Sequence, residues 1–79
     1  MKPIELDYKK SGRMIRKCRR ELLDCSQEEL GAMIGTSTNS IGRWERGLVM
    51  PSLEASLALS KVFGVTINTF AVEKKEGQE

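Results

Sequence analysis

Histidine is absent from this chain, and cysteine occurs only at Cys18 and Cys25. Without imidazole, a zinc site or a Cys/His nucleophile has almost nothing to build on. No glycine-rich phosphate cradle and no nucleophile with a matching base is visible either, so an enzyme is not expected, nor a metal or other cofactor. The two thiols, seven residues apart, read as small buried hydrophobes of a reducing compartment. Prolines number two and aromatic residues make up 5%, which argues against a fibrous or low-complexity chain. No apolar run approaches the roughly 18 residues of a membrane span, and the N-terminus lacks the apolar stretch of a signal peptide. The expectation is a cytoplasmic protein with no membrane contact.

What is present fits one small helical domain: 79 residues, 39% of them apolar and 30% charged. The net charge of +2 hides its distribution, because Lys9, Lys10, Arg13, Arg16, Lys17, Arg19 and Arg20 fall in one stretch with no acidic residue among them. A local excess of this kind suits contact with nucleic acid.

Residues 1–6 read as a flexible arm, 7–72 as the domain and 73–79 as a disordered charged tail. Asp7 can cap a first helix whose core face is Tyr8, Ser11, Ile15, Cys18 and Leu22, with most of the lysines and arginines off that face. Ser26 with Glu29 forms a capping box, in which each side chain accepts a backbone N–H that the helix start leaves unpaired. A second helix begins there, with Leu30, Met33 and Ile34 as its buried stripe and Gly31 allowing a close crossing. Gly35 ends it in the left-handed conformation.

Ser37 caps a third helix, with Ile41 and Trp44 facing inward, that ends at Gly47. Thr38, Asn39, Ser40, Gly42, Arg43 and Arg46 then look outward. This set offers hydrogen-bonding groups more than bare charge, which is what base edges require of a helix surface. Gly42 inside a helix costs about 1 kcal/mol relative to alanine, which points to a close neighbour, either helix 2 or a DNA backbone. Pro51 and Ser52 open a fourth helix with Glu54 near its positive end and Leu53, Leu57, Ser60 and Phe63 on its core side. Gly64 closes it, Val65 follows, and Thr66 caps a final short turn in which Ile67 and Phe70 face inward.

In this order and spacing, SQEEL, Gly31, Ile34-Gly35, Ile41 with Trp44-Glu45-Arg46-Gly47, Pro51-Ser52-Leu53 and Phe63-Gly64-Val65 resemble the lambda-repressor-like helix-turn-helix family. The likeness runs from Asp7 to Phe70, about four fifths of the chain. It implies an all-α, compact five-helix domain that binds double-stranded DNA as a homodimer on a palindromic operator, with helix 3 in the major groove and helix 2 across the backbone.

By the same resemblance Thr38, Asn39, Ser40 and Arg43 are candidates to read bases, Ser40 being open between base and phosphate. Gln27, Ser37, Arg46 and Arg13 are candidates for phosphate contacts. Glu45 is expected to pair with a helix 1 arginine: counting back from Ser26 selects Arg20, whereas the apolar register selects Arg19. One extra residue before helix 2 would account for the difference. Leu48, Val49 and Met50 replace the basic or small polar residues common in relatives, and either fold inward or contribute to a dimer contact. The alternative class is a protein-interaction module on the same fold, such as an antitoxin that covers a toxin.

Overall fold

Ile15, Leu30, Ile41, Leu59 and Phe70 are all completely buried, one from each of four helices and one from the turn that closes the domain. Cys18, Trp44 and Phe63 complete this centre. The computed structural model describes residues 2–75. Among these the α-helices are α1 (Tyr8–Cys18), α2 (Gln27–Ile34), α3 (Thr38–Glu45) and α4 (Leu53–Phe63), with a π turn over Arg19–Leu23 and a 3-10 turn over Ile67–Thr69. The expected fifth helix is only that single 3-10 turn. Phe70 pins it to α4 by an edge-on contact with Phe63, ring centres 6.1 Å apart.

Local chemistry sets the helix starts. Asp7 accepts from the Lys10 N–H, Ser37 from Ser40 and Ser52 from Ala55, while Ser26 and Glu29 form the reciprocal capping box. The capping box holds the Glu29 carboxyl below its ordinary pKa, chiefly through the Ser26 backbone N–H. Gly35 and Gly64 end α2 and α4 in the left-handed region, with φ of 76° and 71°.

The π turn is where the extra residue is absorbed. The Asp24 N–H reaches back to the Arg19 carbonyl, as does that of Cys25, and Asp24 closes the turn at φ 48°, a conformation aspartate tolerates better than most residues. A π turn advances less around the helix axis per residue than an α turn. Leu22 is therefore rotated off the expected core face and is 52% exposed, and Leu23 packs against the core in its place.

Other apolar residues expected inside also lie outside. Tyr8 is exposed at the first turn of α1, where little packs over it. Met33 is exposed because Leu30 and Ile34 already fill the inward side of α2. On α4 two stripes satisfy helical spacing, and the buried one holds Ser56, Leu59 and Phe63. Leu53 and Leu57 therefore face solvent, and Ser60 is half-buried with its hydroxyl donating to the Val65 carbonyl. Of the three residues after Gly47, Val49 packs inward, Met50 is half-buried and Leu48 is exposed.

The two ends of the domain are clasped rather than free. The Asp7 N–H donates to the Val72 carbonyl at 2.7 Å and the Lys74 N–H to Glu5 at 2.9 Å, which makes Leu6 and Glu73 an antiparallel bridge. The Val72 N–H donates to the hydroxyl of Ser11, a serine with no exposed surface. The end of the expected arm, residues 5–6, and the start of the tail thus gain backbone partners that neither composition nor charge signals; residue 1 lies outside the described residues. The rest of the tail reading, residues 76–79, lies outside the described residues.

Candidate nucleic-acid interface

α1 crosses the end of α3 so closely that a β-carbon on Gly12 would stand 2.3 Å from the Trp44 carbonyl oxygen. Only glycine permits that approach, and it places Arg19 beside Glu45. The Arg19 guanidinium grips the carboxylate with two hydrogen bonds, Nε to Oε2 at 2.7 Å and Nη2 to Oε1 at 3.0 Å. Its Nη1 donates to the Cys25 carbonyl. The side chains of this pair are 10% and 4% exposed. The Glu45 hydrogen bond raises the arginine's already high pKa, outweighing the desolvation that lowers it. Arg20, the other candidate partner, is exposed.

Glu45 also ties down α2. Its Oε1 accepts from Gln27 Nε2 at 3.0 Å, so one carboxylate at the end of α3 joins the π turn that follows α1 to the start of α2. Sequence reasoning missed this bond, which depends on the angle between two helices; its one visible trace was Gly42. A β-carbon there would lie 3.3 Å from Arg46 Nη1 and 3.7 Å from Gln27 Oε1.

Thr38, Asn39, Arg43 and Arg46 are all exposed, and spacings of four and three put Asn39, Arg43 and Arg46 on one stripe. Ser37 is exposed at the head of α3, accepting from the Ser40 N–H and donating to the Ser40 hydroxyl. Ser40, half-buried, is occupied by that local pair and stands apart from the three exposed candidates for base reading. Arg13 is exposed, and so are Lys9, Arg16 and Arg20. Spacings of four and three align Lys9, Arg13 and Arg16 on one side of α1, with Arg20 following in the π turn, a stripe of which sequence reasoning singled out only Arg13. It starts where α3 ends, since the Lys9 backbone packs against Gly47.

Burial raises the pKa of both thiols, and Cys18 sits in the core. Among the described residues no group of three or more acidic or thiol side chains is placed to hold a metal, and no helix is long and apolar enough to cross a membrane.

A helix-turn-helix family model matches residues 15–70. The fold is similar to that of the P22 c2 repressor, solved in complex with a synthetic operator. The two are 37% identical over 76% of this chain and 89% of that one, with a TM-score of 0.72. The restriction-modification controller protein C.AhdI from Aeromonas hydrophila is 28% identical over 81% of this chain and 96% of that one, TM-score 0.74. Hydroxypropylphosphonic acid epoxidase from S. wedmorenis shares the fold alone, at 18% identity over 82% of this chain and 34% of that one, TM-score 0.71. No curated protein sequence matches the chain.

Proposed function

Because the chain belongs to the helix-turn-helix family of lambda-repressor type, we propose that it is a sequence-specific DNA-binding regulator of transcription that acts without catalysis. The observation that carries this reading is the outer face of α3. Thr38, Asn39 and Arg43 are exposed on a helix held rigidly from behind by the Arg19–Glu45–Gln27 network. An arginine can donate to guanine O6 and N7 together, and an asparagine can pair in the same two-bonded way with adenine, each worth about 1–3 kcal/mol of discrimination. Ser37, Gln27, Arg46 and Arg13 take phosphates, joined by Lys9 and Arg16 on the same side of α1 and by Arg20 in the π turn. Ser40 serves to orient Ser37. The P22 c2 repressor, solved in complex with a synthetic operator, supports this use of the fold.

The active form is a homodimer on a palindrome with half-sites about 34 Å apart. Leu48, Leu53 and Leu57, exposed by 60, 72 and 48%, support a protein contact beside the loop that follows α3, with Met50 at its edge. Selection of binding sites from random duplexes tests the reading. Recovery of an enriched palindrome is expected, and recovery of no preferred sequence contradicts it. Sedimentation of the chain with that site gives the stoichiometry: two chains per duplex are expected, and Leu53→Asp should reduce this to one. If the chain stays single on its site, the leucines belong to another protein partner, such as a toxin, and the two-fold model fails.

A further inference from the structure

Gly12 and Gly42 both lie inside helices, but the space beside them differs in kind. At Gly12 the atoms that exclude a β-carbon are backbone carbonyls, so the fold itself demands glycine. At Gly42 no backbone intrudes, and the neighbours within 4 Å are the ends of two side chains, Arg46 Nη1 and the Gln27 carboxamide. The interior would accept alanine at Gly42 and gain helix stability by it.

We propose that Gly42 is a positioning residue for the DNA backbone: its bare α-carbon floors a notch in which Gln27 and Arg46 come together as a two-donor clamp on one phosphate. The inference rests on the DNA-binding reading above.

The chemistry of the clamp follows from the hydrogen-bond inventory. The Gln27 amide nitrogen carries two N–H groups. One is committed to Glu45 Oε1, which fixes the carboxamide and leaves the other N–H unspent. Arg46, exposed, brings a cationic donor to the same notch. Glu45 is the nearby anion, and its two oxygens are already occupied by Arg19 and Gln27 with its side chain 4% exposed, so an incoming phosphate meets donors rather than a bare carboxylate. Two donors, Arg46 Nη1 at 3.3 Å and Gln27 Nε2 at 3.9 Å from the β-carbon position, flank the notch together with the acceptor Gln27 Oε1 at 3.7 Å, and the two donors suit the two non-bridging oxygens of a single phosphate. A side chain at Gly42 larger than methyl would fill the notch and part them.

Affinity for a duplex obtained by site selection, measured across a salt series, tests this. Gly42→Leu keeps a good helix former at the position but occupies the notch. It should weaken binding about tenfold on every sequence alike and reduce the salt slope by about 0.9, the share of one phosphate contact. Gly42→Ala asks only the flexible end of Arg46 to give way and should stay within about threefold of the original chain. In a background carrying both Gln27→Ala and Arg46→Ala, Gly42→Leu should cost nothing further.

A cycle of Gln27→Ala and Arg46→Ala, singly and together, addresses the clamp without altering Gly42. On one shared phosphate the loss from Gln27→Ala should shrink several-fold once Arg46 is gone. The clamp is overturned if Gly42→Leu binds with unchanged affinity and salt slope, if its loss persists in the doubly substituted background, or if the cycle is additive. These results leave the DNA-binding reading intact, whereas a chain that binds no duplex at all ends both.

Discussion

Glu45→Ala is the substitution that should disturb the fold most for its size. Glu45 accepts three hydrogen bonds from two helical segments, and its truncation leaves Arg19, a residue only 9% exposed, with the Cys25 carbonyl as its one remaining hydrogen-bond partner among the described residues. Removing one member of a buried pair costs about 3–5 kcal/mol, because the surviving charge stays buried without compensation. A chain of 79 residues is expected to have a total stability of about 4–12 kcal/mol, so the variant should lose at least about a quarter of it and, at the low end of that range, all of it. The sole tryptophan, Trp44, is 7% exposed and adjacent to the pair, so urea unfolding followed by its fluorescence and by far-ultraviolet dichroism reads the change directly.

Two controls sharpen the interpretation. Arg19→Met combined with Glu45→Leu removes both charges and should recover most of the loss. The pH dependence has a definite sign: Arg19 is more basic in the fold than in the unfolded chain. Its contribution is therefore fully present below the ordinary arginine value, which includes the whole neutral range, and is lost only as pH rises through the raised folded value. A cost below about 1 kcal/mol for Glu45→Ala, the worth of an exposed ion pair, would refute the reasoning.

Gly12→Ala should destabilise by about 1–3 kcal/mol despite alanine's better helix propensity, since the carbonyls of Trp44 and Glu45 occupy the site; urea midpoints equal to or above the original would contradict the close crossing. Glu29→Gln retains a side chain that can complete the capping box but cannot titrate. With the Glu29 carboxyl lowered in the fold, its contribution is present above the unfolded value of about 4.3 and is lost as pH falls through the folded value. The original chain should thus lose urea resistance faster than Glu29→Gln over that acidic window, and parallel pH profiles would count against it.

The helix starts were legible because capping is a matter of three or four neighbouring residues: Asp7, Ser26 with Glu29, Ser37 and Ser52 each carry their own signal. The inner face of α4 was not, because Leu53 and Leu57 compete with Ser56, Leu59 and Phe63 at the same periodicity, and only packing against the rest of the chain decides between them. The π turn lay between these cases. Two registers in conflict before Ser26 pointed to one residue too many, but not to how the backbone would absorb it.

At the interface the sequence supplied the exposed polar set on α3 and left open which arginine meets Glu45. That choice depends on the depth of the α1–α3 crossing, which Gly12 controls. The bond between Gln27 and Glu45 and the clasp between residues 5–7 and 72–74 join parts distant in sequence and leave no periodic trace.

The central claim is that the outer face of α3 reads bases while its flanks hold phosphates. Site selection carried out in parallel with the original chain, Arg43→Ala and Gln27→Ala tests it most directly. The expected result is that Arg43→Ala loses preference at one base pair of each half-site, whereas Gln27→Ala recovers the same sequence with affinity reduced nearly equally on all sites. An unchanged preference after Arg43→Ala, or a changed one after Gln27→Ala, would contradict it.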